Sequence, residues 1–134
     1  MPLRLLIVDD NAAFLAASRA ILYGPELSVV GEAATAAEAL QRAQELQPDL
    51  VLLDIDLGEE SGFDVARQLS VSTGSAAPHM IFISAHPPED FADIVADSPA
   101  LGLIPKAELS SAAITGVLRS HGTASDAGNQ LESK

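Results

Sequence analysis

A chain of 134 residues, 48% hydrophobic and with a mean hydropathy of +0.24, suffices for one domain around one core, and with 4% aromatics that core must be Leu, Ile, Val and Ala. The absence of cysteine excludes a disulfide framework and thiolate metal sites, and a net charge of −12 argues against direct nucleic-acid binding. No apolar run approaches a membrane span and no basic-then-apolar leader opens the chain, so a soluble, cytoplasmic protein is expected.

In chain order, the first predicted strand is Leu3–Val8, followed by Asp9 and Asp10. Phe14, Leu15, Ser18, Ile21 and Leu22 then share one face of a helix that Gly24-Pro25 ends. A second strand at residues 28–31 leads to Thr35-Ala36-Ala37-Glu38, a capping-box sequence opening a helix with Ala39, Leu40, Ala43 and Leu46 on its apolar face. Residues 50–53 form the third strand, with Asp54 and Asp56 just beyond it, and residues 62–69 a third helix. The fourth strand, residues 80–83, ends at Ser84; the helix after it, residues 88–96, is expected to turn Phe91, Ile94 and Val95 inward. A fifth strand at residues 101–104 precedes Lys106, and a last helix covers 109–118. Residues 120–134 are polar and small, so the expected organisation is one domain over 1–119 and a disordered tail over 120–134.

Five near-continuous apolar strands alternating with helices predict an α/β fold: a (βα)₅ doubly wound parallel sheet covered on both faces. Ligands of such sheets bind beyond the carboxyl ends of the strands, where strand order reverses. Four of the five strands aim a reactive group at that rim. With the strand order 3-2-1, Asp10 and Asp54 would stand roughly 10 Å apart, at about 4.8 Å per strand. With the flavodoxin-like order 2-1-3-4-5 they become neighbours, and Pro105 falls on an edge strand where it costs no ladder bond. The second order is therefore expected.

Three carboxylates within about 5 Å repel by roughly 3 kcal/mol per pair at an effective dielectric near 20, so the cluster calls for a cation or a proton. Mg²⁺, with Mn²⁺ as an acceptable substitute, suits such a set. Asp54 is a candidate nucleophile that would form an acyl phosphate. Lys106, the sole internal lysine, would offset charge on a transferring phosphoryl group, and Ser84 would donate a hydrogen bond to it. Taken one at a time, these residues read as helix caps, turn residues or a solvated lysine; it is their joint occurrence at one rim that points to a site.

The segments Leu6-Ile7-Val8-Asp9-Asp10-Asn11, Leu52-Leu53-Asp54-Ile55-Asp56-Leu57-Gly58 with Gly62, Ile83-Ser84-Ala85, and Lys106 resemble the receiver domain of bacterial two-component response regulators. The likeness spans residues 3 to about 119, with 30 residues from Asp54 to Ser84 and 22 from Ser84 to Lys106. It implies that Asp54 is the phosphoacceptor, that Asp10 binds Mg²⁺ directly and Asp9 through water, and that the Asp56 backbone carbonyl is a further ligand. It implies Ser84 as the hydroxyl residue, Ala85 as the small residue beside the phosphoryl pocket, and Lys106 as the phosphate partner. Asp56 and His86 fall where side chains tune dephosphorylation. The implied protein is a single-domain regulator in a phosphorelay. It would take its phosphoryl group from a sensor histidine kinase or histidine phosphotransfer protein, and catalyse only its own phosphorylation and slow autodephosphorylation. It would signal by protein contact, to a downstream target or to itself through the helix 4–strand 5–helix 5 face.

Three departures from the family pattern stand out. Gly58 replaces the usual Pro and should loosen its loop; Pro105 precedes Lys106 and Ala107 follows it, where Pro often follows the lysine; and Leu103 takes the place of the switch aromatic. Two alternatives remain from the sequence. One is a phosphohydrolase of the haloacid dehalogenase type, suggested by Asp54-Ile55-Asp56; the other is a pseudo-receiver that no longer uses phosphate.

Overall fold

The computed structural model describes residues 2–73 and 77–120. Its elements are β1 (Leu3–Val8), α1 (Ala12–Ile21), β2 (Leu27–Ala33), α2 (Ala36–Leu46), β3 (Leu50–Asp54), β4 (Asp56–Leu57), β5 (Glu60–Ser61), α3 (Gly62–Thr73), β6 (His79–Ser84), α4 (Ala92–Ala96), β7 (Gly102–Pro105) and α5 (Ser111–Ser120). The main sheet is parallel throughout and runs β2-β1-β3-β6-β7, the predicted 2-1-3-4-5 order of its five strands. The tail expected over 120–134 lies, after Ser120, outside the described residues.

Side-chain alternation sorts the central strands into two cores. Leu5, Ile7, Leu50, Leu52, Ile81 and Ile83 point to one side, where Leu22 of the α1 C-cap and Ile114 of α5 meet them. Leu6, Val8, Val51, Leu53, Met80 and Phe82 point to the other, against Ala39 and Ala43 of α2 and Val65, Ala66 and Leu69 of α3. Burial on both faces is why these strands read as apolar runs rather than alternating ones.

The helix starts follow from local chemistry. Asn11 Oδ1 accepts from the Phe14 N–H and Thr35 Oγ1 from the Glu38 N–H. Glu38 reaches back to the Ala34 N–H, one residue before the cap itself. The last helix begins two residues later than predicted, because Ser110 Oγ accepts from the Ala113 N–H and Leu109 is still extended.

Three expectations need correction. The fourth helical segment is split: Pro88–Phe91 is a 3₁₀ turn and only Ala92–Ala96 is α-helical. Phe91 and Val95, four apart, face the core, whereas Ile94 lies off that line and is 48% exposed. Ile21 is likewise exposed, since Ser18 and Leu22 take the buried positions at the end of α1. Finally, Gly58 does not loosen its loop. Leu57 pairs with Glu60, so Gly58 and Glu59 form a two-residue hairpin turn with Gly58 at φ +68°. A positive φ at the first central residue is the II′ requirement, which glycine meets without strain.

Candidate functional site

The pairing of β1 with β3 sets Val8 opposite Leu53, so Asp9 and Asp54 leave adjacent strands side by side. One carboxylate oxygen from each of Asp9, Asp10 and Asp54 lies within 4.8 Å of the others. Asp9 is fully buried, Asp54 is 4% exposed and Asp10 faces solvent. The next pairing, β3 with β6, puts Asp54 opposite Ile83 and brings Ser84 to the same rim, fully buried. β7 is an edge strand; Pro105 ends it opposite Ser84, and Lys106 begins the 3₁₀ turn Lys106–Glu108.

From there Lys106 Nζ reaches 2.7 Å from Asp9 Oδ2 and 3.2 Å from Asp54 Oδ2. The other oxygens are held by backbone: Asp9 Oδ1 accepts from the Asn11 N–H at 2.9 Å and Asp54 Oδ1 from the Asp56 N–H at 3.1 Å. Ser84 Oγ accepts from the His86 N–H at 2.9 Å. Asp9 Oδ2 meets the Lys106 ammonium and, apart from it, has no partner among the described residues. A buried carboxylate oxygen left so, beside two further carboxylates, fits a hard divalent cation.

Electrostatics agree with the crowding. Burial raises the Asp54 carboxyl to about 6, opposed by the Asp56 N–H; the Asp9 charge raises it further and Lys106 draws it down. Burial also works against the Lys106 ammonium, but Asp9 and Asp54 outweigh it and hold the lysine above its ordinary value.

The hairpin β4–β5 closes the site from the side. Asp56 sits in β4, exposed and paired with Ser61. Gly62 packs so closely under the rim that a Cβ there would lie 2.1 Å from the Asp54 carbonyl oxygen. Glu60 accepts from the Ala36 N–H at 2.8 Å and so ties the hairpin to the start of α2. The remaining predicted residues flank the rim. Ala85 and His86 are exposed beyond β6, with the His86 ring 6.2 Å from that of Phe91. Leu103 is half-buried in β7 opposite Phe82, in the core that Phe91 and Val95 also touch. Sequence reasoning passed over two contacts, Glu60 on α2 and the Phe14 ring beside Lys106. In the sequence Phe14 reads as one more apolar residue of the α1 face, so no local pattern signals its contact with Lys106.

Fold and rim together define a doubly wound α/β domain carrying an acid triad and a lysine beyond its strand ends. The model of the response regulator receiver domain matches residues 5–117, and the chain belongs to that family. The receiver resemblance is thus shown, and the dehalogenase-type alternative is set aside. Among curated relatives, the sensory transduction protein LytT of Enterococcus faecalis is 38% identical over 85 residues, 63% of this chain and 34% of its own length. The DNA-binding transcriptional activator EvgA of Escherichia coli is 29% identical over 103 residues, 77% of this chain and 50% of its own. The chain thus spans half or less of the relatives it matches. Of solved structures, a LuxR-family two-component response regulator from Aurantimonas superposes with a TM-score of 0.77 at 26% identity, over 98% of this chain and 100% of that one. The signal receiver domain of a NarL response regulator from Mycobacterium tuberculosis gives 0.71 at 26%, over 87% and 96%.

Proposed function

We propose that this receiver domain accepts a phosphoryl group on Asp54 in a Mg²⁺-dependent reaction, from a phosphohistidine of a sensor histidine kinase or histidine phosphotransfer protein. The observation that carries the reading is the bridging of Asp9 and Asp54 by Lys106 within a three-carboxylate cluster. Asp54 attacks phosphorus with a carboxylate oxygen. The P–N bond to the donor imidazole breaks, its electron pair stays on nitrogen, and the product is an acyl phosphate. With a pKa of about 6, Asp54 is mostly ionised, and therefore nucleophilic, at neutral pH. Lys106 would pair with a phosphoryl oxygen, and the Ser84 hydroxyl would donate to another. Asp9, Asp10, Asp54 and the Asp56 backbone carbonyl would hold the Mg²⁺. When bound, the ion supplies positive charge against the phosphoryl oxygens and relieves the carboxylate repulsion. Asp56, Ala85 and His86, all exposed around the rim, are assigned to tuning water's access during autodephosphorylation.

The proposed output is a phosphorylation-dependent protein contact, to a downstream target or a second copy through the α4–β7–α5 face. The chain's acidity supports a protein rather than a nucleic-acid partner. Leu103 offers no aromatic ring to swing inward, so whatever switch operates there differs from the usual one. Incubation with acetyl phosphate and Mg²⁺, followed by intact-mass analysis and peptide mapping, tests the reading. One phosphoryl group on Asp54, absent in Asp54→Asn and with EDTA, is expected; a label on another residue, or none, would overturn it and favour a pseudo-receiver.

A further inference from the structure

Lys106 reaches the acids from a short turn at the end of an edge strand, on a four-carbon stem with many rotamers. Attraction to Asp9 and Asp54 sets the direction of its charge, and the side chain, 19% exposed, keeps some freedom to swing. A third contact limits it. The half-buried Phe14 ring lies with its centroid 4.5 Å from Lys106 Nζ, inside the range where a ring face attracts a cation. Phe14 packs partly buried against the α1–α5 core, as its neighbour Leu15 does. The aromatic face adds what a leucine would not: an attraction for the ammonium that makes no hydrogen bond and shields it from water.

We propose that Phe14 is a positioning residue for phosphoryl transfer, its ring face holding the Lys106 ammonium over the Asp9–Asp54 pair and aimed at the incoming phosphoryl group. The inference rests on the function proposed above. While Asp54 trades its negative charge for a phosphoryl group, the ring contact persists and Lys106 stays directed at the same place.

The test compares Phe14→Leu and Phe14→Tyr, each alone and in a Lys106→Met background, by rate of acetyl phosphate labelling. Phe14→Leu should label about three- to tenfold more slowly, the range expected of a partly shielded cation–ring contact, while Phe14→Tyr keeps the rate within about twofold. The Mg²⁺ concentration that half-saturates the thermal shift should stay within about twofold in both, because neither variant removes a ligand. In the Lys106→Met background, Phe14→Leu should cost nothing further. In the NMR spectrum, ring current should shift the Lys106 ε-methylene protons upfield, and Phe14→Leu should abolish that shift. Labelling of Phe14→Leu at the wild-type rate, or an equal loss with and without Lys106, would overturn the proposal. A wild-type protein that shows the ring-current shift but is never labelled on Asp54 would instead sink the proposed function and leave the contact standing.

Discussion

Asp54 concentrates the conflict between stability and use. Its folded pKa of about 6 lies above the roughly 3.9 of an aspartate in an unfolded chain. Folding above pH 6 therefore costs the burial of a charge, and the cost disappears once both states are protonated, below about pH 4. As far as Asp54 decides, the metal-free protein gains stability as pH falls from 7 to 4. Replacing Asp54 with Asn removes the ionised group but also a Lys106 contact, so a net gain on the order of 1–3 kcal/mol at pH 7.5 is expected. Urea unfolding in EDTA should show that gain narrowing below pH 5; a variant less stable than wild type at pH 7.5 would contradict it.

Among the elements, the β4–β5 hairpin matters out of proportion to its size. It carries Asp56, packs Gly62 beneath the Asp54 backbone, and is pinned to α2 by Glu60. Its turn depends on Gly58 at φ +68°, whereas proline is confined near −65°. Gly58→Pro would restore the residue usual in the family, yet here it should break the turn and cost about 1–3 kcal/mol. Gly58→Ala should cost less, about 1 kcal/mol for the left-handed conformation, with its Cβ 3.2 Å from Asp10 Oδ2. Chemical denaturation orders the three proteins, and a Gly58→Pro variant as stable as wild type would mean that the turn can take another route.

Across the whole molecule, 19 acids face 7 Lys and Arg, and three of those acids meet at one rim. A cation bound there stabilises the folded state by mass action, about 2.7 kcal/mol at a hundred times its dissociation constant. Mg²⁺ should therefore raise the melting temperature well beyond NaCl of equal ionic strength, since screening acts on the whole surface and ligation only at the rim. Asp9→Asn and Asp10→Asn should each blunt that difference, as followed by calorimetry.

Much of this was legible in the sequence because the signals are local. Apolar runs such as Leu50-Val51-Leu52-Leu53 are strands buried on both faces, and Thr35 with Glu38 marks a helix start within four residues. The alternation of strands and helices, with polar groups at the strand ends, even carried the strand order, because just one order seats Asp10 and Asp54 together. What tertiary structure decided are facts that pair residues far apart in the chain or fix a backbone angle. Lys106 reaches Asp9 across 97 positions of sequence and Glu60 finds the start of α2, neither of which has a periodicity to betray it. The phase of α4 depended on the 3₁₀ turn before it, which turned Ile94 outward, and Gly58 proved to be a tight turn because Leu57 and Glu60 pair across it. Patterning along a chain reports which residues must be buried; which groups meet there is settled only when the sheet closes the distance between them.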